Sequence, residues 1–302
     1  PRTHRDSCVQ RANVNADDLL GAELGGLSQK SLSKAVDKRC AQRLRSGACQ
    51  ARRAHLDLVS ADGAGAFLNA VPSKTAGLSN EPSLFVGMLK RQLRMRFHEG
   101  DLECPFCDGV LDGFGDHALV CCGGGDRTRR HNLLQNVAFY AAEAANLRPE
   151  LEKPGLLPER PLVGSRFEDG SAAGPQDSAP GHRRPADVYI PRWRSGPPAA
   201  WDFAVTSGLR VDLPSSAGPL SENATCRYED FKCAYKDTQR DCQGQGITFI
   251  PMIMEAVGGA WGTAAQKVWT ELAKKSALAT GELEFHASRA AMLRQRHSMT
   301  LH

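Results

Sequence analysis

A chain of 302 residues is long enough for one large domain or two modest ones, because single apolar cores stop growing near ~250–300 residues. Hydrophobic residues at 41% and charged residues at 24% argue against a disordered or membrane-embedded chain, and a net charge of +4 does not by itself announce a nucleic-acid partner. No run reaches the ~18 apolar residues of a membrane span, and Pro1-Arg2-Thr3-His4-Arg5 lacks a signal-peptide stretch. The sequence therefore reads as intracellular, nuclear or cytoplasmic, not secreted and without a membrane partner. Its first residue, Pro1, also suggests a piece of a longer reading frame.

Residues 1 to about 60 alternate charged and apolar positions in a helical rhythm, as in Asp17 to Leu24 and Leu32 to Val36. Glycines at Gly63 and Gly65 break it, and Pro72-Ser73 reads as a turn before a helix around Pro82 to Arg96. We read 1–98 as a helical connector region. Residues 99–125 are compact, turn-rich and cysteine-bearing. Helical periodicity resumes at His131 with Leu133, Leu134 and Val137, runs to about Leu147, and opens a domain over 126–280. Ser165 to Arg183 has almost no large apolar residue and reads as a mobile surface loop. Two strands follow, Ala186 to Ile190 and Ala200 to Val205, each with an acid inside it. Then come a helix from Asn223 to Gln243, a strand from Ile247 to Glu255, a turn at Gly258 to Gly262 and a helix from Gly262 to Ala279. Residues 281–302 read as an exposed helix and frayed tail. This order gives an α/β (α+β) fold class.

Ten cysteines without a secretory signal favour metal binding over disulfides. Cys104-Pro105-Phe106-Cys107 sets two thiolates on one knuckle, and His117 with Cys121 forms a second pair after a nine-residue spacer. Two close pairs suit tetrahedral zinc, with Cys122 an alternative to Cys121 as the last ligand. A filled four-ligand shell makes this zinc structural rather than catalytic. Basic residues bracket the motif, Lys90, Arg91, Arg94 and Arg96 before it and Arg127, Arg129 and Arg130 after it, in positions suited either to phosphate contacts or to a solvated helical face.

Asp187 and Asp202 lie in neighbouring strands among residues that bury, where an ionised carboxylate is expensive unless paired or metal-bound. A magnesium or manganese ion held by both would activate water against a phosphodiester. A nearby ammonium would complete such a site, with Lys232 the first candidate and Lys236 the second. The plainer alternative pairs the acids with Arg183 or Arg184. Glu152 and Glu229 are further candidates for the metal shell, and Arg127, Arg129, Arg130, His131 and Arg184 for nucleic-acid contacts. His131, at a helix start, suits either phosphate or a hydrogen bond to the knuckle. Trp193 and Trp201 read as packing residues.

The run His117-Ala118-Leu119-Val120-Cys121, then Gly124-Gly125, Arg130-His131-Asn132, Arg184-Pro185-Ala186-Asp187-Val188 and Trp201-Asp202-Phe203-Ala204-Val205, resembles the C-terminal part of non-LTR retrotransposon polyproteins. There a cysteine and histidine knuckle precedes a restriction-like endonuclease of the PD-(D/E)XK superfamily. The resemblance spans roughly residues 60 to 262. It implies a restriction-endonuclease-like core of helix, mixed central sheet and helix, with the strand acids at Asp187 and Asp202 and the lysine displaced to Lys232. It further implies nicking of target DNA, with the element's RNA as a second possible partner and a reverse transcriptase domain upstream. Ala186 stands between Pro185 and Asp187, and Ala204 stands where the superfamily pattern has lysine, so the site is either rearranged or inactive. Two readings follow, a magnesium-dependent endonuclease and a catalytically inactive zinc-containing module that binds nucleic acid.

Overall fold

The computed structural model describes residues 29–158, 185–209 and 220–281, with Leu293, Gln295 and Arg296. The expected helix at Asp17 to Leu24, the loop at Ser165 to Arg183, and Arg184 lie outside the described residues. The chain divides into two compact units, 1–56 and 57–302. In the first, the helical rhythm becomes α1 (Gln29–Ser46) and the start of α2 (Gln50–Val59). The Arg53 Nε donates to the Ala48 carbonyl at 2.8 Å and ties off the turn that joins them.

The second unit begins with a short satellite core in which Phe67, Leu78 and Met88 are buried. Met88 comes from α3 (Pro82–Gln92), which starts on a proline at a position that needs no N–H. The helix stops short of the predicted Arg96 because Arg94 takes a left-handed φ of 55°, which a right-handed helix cannot continue. The cysteine-bearing segment follows as β1 (Leu102–Glu103), β2 (Val110–Leu111) and one helical turn, α4 (Asp116–Val120). Next comes α5 (Asp126–Ala144), which opens before His131 because its first turn, Asp126 to Arg129, is solvent-exposed and so carries no apolar period.

The central sheet contains β3 (Glu150–Leu151), β4 (Val188–Ile190), β5 (Ala199–Thr206) and, beyond two helices, β6 (Thr248–Glu255). Those helices are α6 (Leu220–Ala234) and α7 (Thr238–Gly244), and α8 (Thr263–Ala279) follows β6. The sheet order is β3-β4-β5-β6, with the first three antiparallel and β6 parallel to β5. The fold is thus a mixed sheet between helices. The single helix expected over Asn223 to Gln243 is broken at a 3-10 turn, where Lys236 and Asp237 have φ of 49° and 53°.

Strand alternation divides the core into two faces. Val188, Ile190, Trp201, Phe203, Met252 and Met254 meet α5 and α8 on one side. Ala200 and Phe249 meet Cys242 of α7 and Cys233 of α6 on the other. Each large apolar side chain fully buried here contributes about 1.5–3 kcal/mol. Trp193 and Trp201 pack edge to face with centroids 5.2 Å apart, as the packing expectation requires. Leu293 is buried in the same core, and Gln295 Nε2 donates to the Asn69 carbonyl at 2.9 Å. At those two positions the expected frayed tail is instead docked.

Candidate functional site

The β1–β2 hairpin presents Cys104 and Cys107 near its turn, while α4 supplies His117 and ends on Cys121. Their ligand atoms lie within 4.8 Å of one another, and among the described residues no other group of His, Cys, Asp or Glu does so. With zinc–sulfur bonds of ~2.3 Å, a tetrahedron has sulfur–sulfur edges of about 3.8 Å and sulfur–nitrogen edges of about 3.5 Å. The observed Cys104–Cys121 and Cys107–Cys121 separations are 3.8 and 3.7 Å, and Cys107 to His117 Nε2 is 3.3 Å. The cluster could therefore hold a zinc ion. Cys122 does not belong to it, because its thiol is exposed and lies beside the Val120 carbonyl and the Arg127 guanidinium.

Local sequence explains this convergence. A Cβ on Gly109 would come within 2.6 Å of the His117 ring and 3.2 Å of the Cys107 sulfur, so glycine lets the two ligand pairs close. Asp112 accepts hydrogen bonds from the Phe114 and His117 N–H groups at 2.9 and 2.8 Å, holding the turn that aims His117. The Phe106 N–H favours the Cys104 thiolate and, with His117, draws that thiol down to about 6. The basic cluster before the knuckle serves it structurally: Arg94 pairs with Asp116 at 2.6 Å, and Arg94 and Arg96 lie over the Phe114 ring. Those ring contacts give both arginines a packing role, and Arg96 also keeps the exposed position of a solvated face.

Asp202 sits within β5, an interior strand of the main sheet, and Asp187 immediately precedes β4. The β4–β5 ladder ends with Val188 opposite Trp201, and just before it the Asp187 N–H donates to the Trp201 carbonyl at 2.9 Å, which brings Asp187 into electrostatic reach of Asp202, the next residue of β5. Lys232, from α6, reaches Asp202 Oδ2 at 2.8 Å. Asp187 accepts the Phe203 N–H at 2.6 Å on one oxygen and meets His131 Nε2 at 3.4 Å on the other. One turn along α5, Gln135 Nε2 donates to the Asp187 carbonyl at 2.9 Å, so two residues of one helix face hold this acid.

Electrostatics within this group are coupled. Burial first, and then the Asp187 carboxylate, work against Asp202, and its carboxyl is pushed up to about 6 despite Lys232 and His131. Burial disfavours the Lys232 ammonium, but Asp202 outweighs it and holds the lysine above its ordinary value. Burial likewise opposes the His131 imidazolium, and Asp187 with Asp202 overcomes it. His131 therefore faces an acid, which neither the phosphate nor the knuckle expectation anticipated.

The remaining candidates fall elsewhere. Lys236 lies past the end of α6 with its ammonium 5.3 Å from the Tyr235 ring centroid, while Lys232 is the lysine that pairs with Asp202. Glu229 accepts the Ala264 N–H at 3.1 Å and caps α8 instead of joining the acids. Glu152 is exposed at a left-handed φ of 43°, linked to the site through its own N–H, which donates to the Asp187 carbonyl at 3.0 Å. Arg127 and Arg129 are exposed on the first turn of α5, while Arg130 donates to the Leu119 carbonyl at 2.8 Å.

A cleft of about 320 Å³ is lined by Leu119 and Val120 of the knuckle, Arg127 and Arg130, Val205, Thr206 and Ser207, and Tyr228. Leu119 packs on Leu58, Ala256 and Val257, which fixes the knuckle as one wall of that cleft. Sequence reasoning missed Gln135 and Tyr228. Each stands four residues from a residue it did single out, His131 and Lys232, and that spacing was the available clue. Among the described residues no helix is long and apolar enough to cross a membrane. No protein-family model, curated protein or solved structure matches the chain.

Proposed function

We propose that the chain is a divalent-cation-dependent DNA endonuclease of restriction-like architecture, carrying a structural zinc knuckle and derived from a retrotransposon-type protein. The observation that carries this reading is the Asp202–Lys232 pair at 2.8 Å, with the Asp187 carboxylate near enough to disfavour the charge on Asp202. Two carboxylates on adjacent strands offer the hard oxygen donors that magnesium or manganese prefers. Bound between them, the cation would supply an activated water and counter-charge for the phosphodiester. Lys232 places a permanent positive charge at the same spot, suited to the charge that builds on the phosphate. His131 and Gln135 hold Asp187 in place, one at the carboxylate and one at the backbone. Cys104, Cys107, His117 and Cys121 would fill a zinc shell, leaving no open position, so that metal folds the knuckle and does no chemistry. In the full polyprotein, the nicked end would prime an upstream reverse transcriptase.

One observation favours the non-catalytic alternative. Lys232 and His131 already neutralise both acids, so the site is satisfied without a cation. A plasmid-nicking assay in magnesium separates the two readings. We expect Asp202→Asn and Lys232→Ala each to lower the nicking rate roughly 100-fold or more. A protonated carboxyl cannot hold the cation, and Asp202 stands at about 6, so the wild-type rate should fall as pH drops below that value. Salt-sensitive DNA binding by a folded wild-type chain that never nicks would instead establish the binding module.

A further inference from the structure

Tyr228, Phe231 and Tyr235 follow spacings of three and four along α6 and its end, and so share one helical face. Their ring centroids are 5.5 Å apart from Tyr228 to Phe231 and 5.4 Å from Phe231 to Tyr235. Phe231 is 52% exposed and Tyr235 49%, whereas Trp201 at 0% shows how this chain treats an aromatic meant for its core. Two contiguous exposed rings continued by the half-buried Tyr228 form an apolar strip of the kind that marks a binding surface.

Positive charge borders that row at both ends. Tyr228 lines the cleft it shares with Arg127 and Arg130, and the Lys236 ammonium sits 5.3 Å from the Tyr235 ring centroid. Between them in sequence, Lys232 turns inward to Asp202. The strip therefore joins a basic cleft to the acid site along a single helix. A polyanion with flat apolar groups matches this pattern, and an acidic or apolar protein surface does not match both halves of it.

Resting on the endonuclease reading for the kind of nucleic acid, we propose that this strip stacks unpaired DNA bases and holds a single-stranded segment beside the Asp202–Lys232 pair. Within a duplex, successive bases lie ~3.4 Å apart and cover one another's faces, so rings spaced as these are find nothing to stack on. An unpaired strand turns each base face outward, and every base has one. Its phosphates meet Arg127 and Arg130 at one end and Lys236 at the other. The preferred substrate is thus DNA with unpaired bases next to the cut, not an uninterrupted duplex.

The test reads binding, not cutting. A fluorescent oligo-dT of about twenty nucleotides and a duplex of the same length are titrated with the zinc-loaded full chain, without added magnesium. Combining Phe231→Ala with Tyr235→Ala should weaken oligo-dT binding roughly 5- to 100-fold, while duplex affinity stays within about twofold. Phe231→Trp, which keeps a stacking face, should bind as wild type does. An oligo-dT carrying 2-aminopurine should lose emission on saturation with wild type and keep it with the double variant. Equal losses on both substrates, unchanged oligo-dT affinity, or 2-aminopurine emission indifferent to the rings would each overturn the proposal. Because no cleavage is measured, a chain that never nicks would remove the endonuclease reading while ring-dependent binding still upheld the strip.

Discussion

The knuckle and the central sheet lie in the same unit of one chain, yet they place their apolar side chains differently. In the knuckle the large apolar side chains face water: Phe106 is 60% exposed, Val110 59%, Leu102 50% and Val120 46%. Its buried Leu119 packs on Leu58, Ala256 and Val257, all outside the knuckle. In the sheet Trp201, Phe203, Met252 and Met254 are 0–1% exposed, and two helices cover them. With a metal bound, the four ligand atoms would do for the first what apolar area does for the second.

The largest expected effect breaks the comparison from the knuckle side. Zinc binding in small modules is worth on the order of 10 kcal/mol or more, far above what Leu119 alone contributes. Chelation, or Cys107→Ser, should abolish amide-exchange protection between Cys104 and Cys121 and leave β5 and β6 protected. Cleft-dependent nucleic-acid binding should weaken as well, since Leu119 and Val120 form one wall. Knuckle amides equally slow with and without metal would mean that packing, not ligation, holds this segment.

A smaller effect tests the sheet side. Trp201→Ala removes a fully buried ring stacked on Trp193 and should cost about 3–5 kcal/mol of unfolding free energy in urea titrations. The Trp201 indole N–H is buried with no hydrogen-bond partner among the described residues, so Trp201→Phe should cost markedly less. Zinc affinity, measured by competition with a chromophoric chelator, should stay the same in both variants. A change in zinc affinity that tracks core stability would erase the distinction between the two regions.

What could be read directly from the sequence follows the same division. The knuckle was visible in its spacing, because two close ligand pairs need no tertiary information. Strands around Asp187 and Asp202 and from Thr248 were visible because buried β segments are short apolar runs between turns. The break between α6 and α7 was not visible, since Lys236 and Asp237 carry no glycine or proline to mark a left-handed backbone. Side-chain partners were harder still. Arg94 and Arg96 look like phosphate ligands until Phe114 and Asp116, about twenty residues on, fold beneath them. His131 could be placed on a helix, though the helix starts at Asp126, and could not be placed against Asp187, because that contact depends on how α5 crosses the sheet.

Glu229 supplies the smallest effect and the sharpest division between acids that hold the fold and acids that form the site. It lies one turn before Lys232, and spacing alone groups it with the metal-binding carboxylates. In the fold its Oε1 instead accepts the Ala264 N–H, at the first turn of α8, where helix N–H groups lack partners. Gly262 permits this approach, since a Cβ there would run into the same carboxylate. Glu229→Ala removes a side-chain cap and should lower stability by about 1 kcal/mol, read as a shifted urea midpoint, with the nicking rate per folded molecule unchanged. An unshifted midpoint with lost nicking would move Glu229 from the helix start to the cation, and the acid pair of β4 and β5 would have to be counted as three.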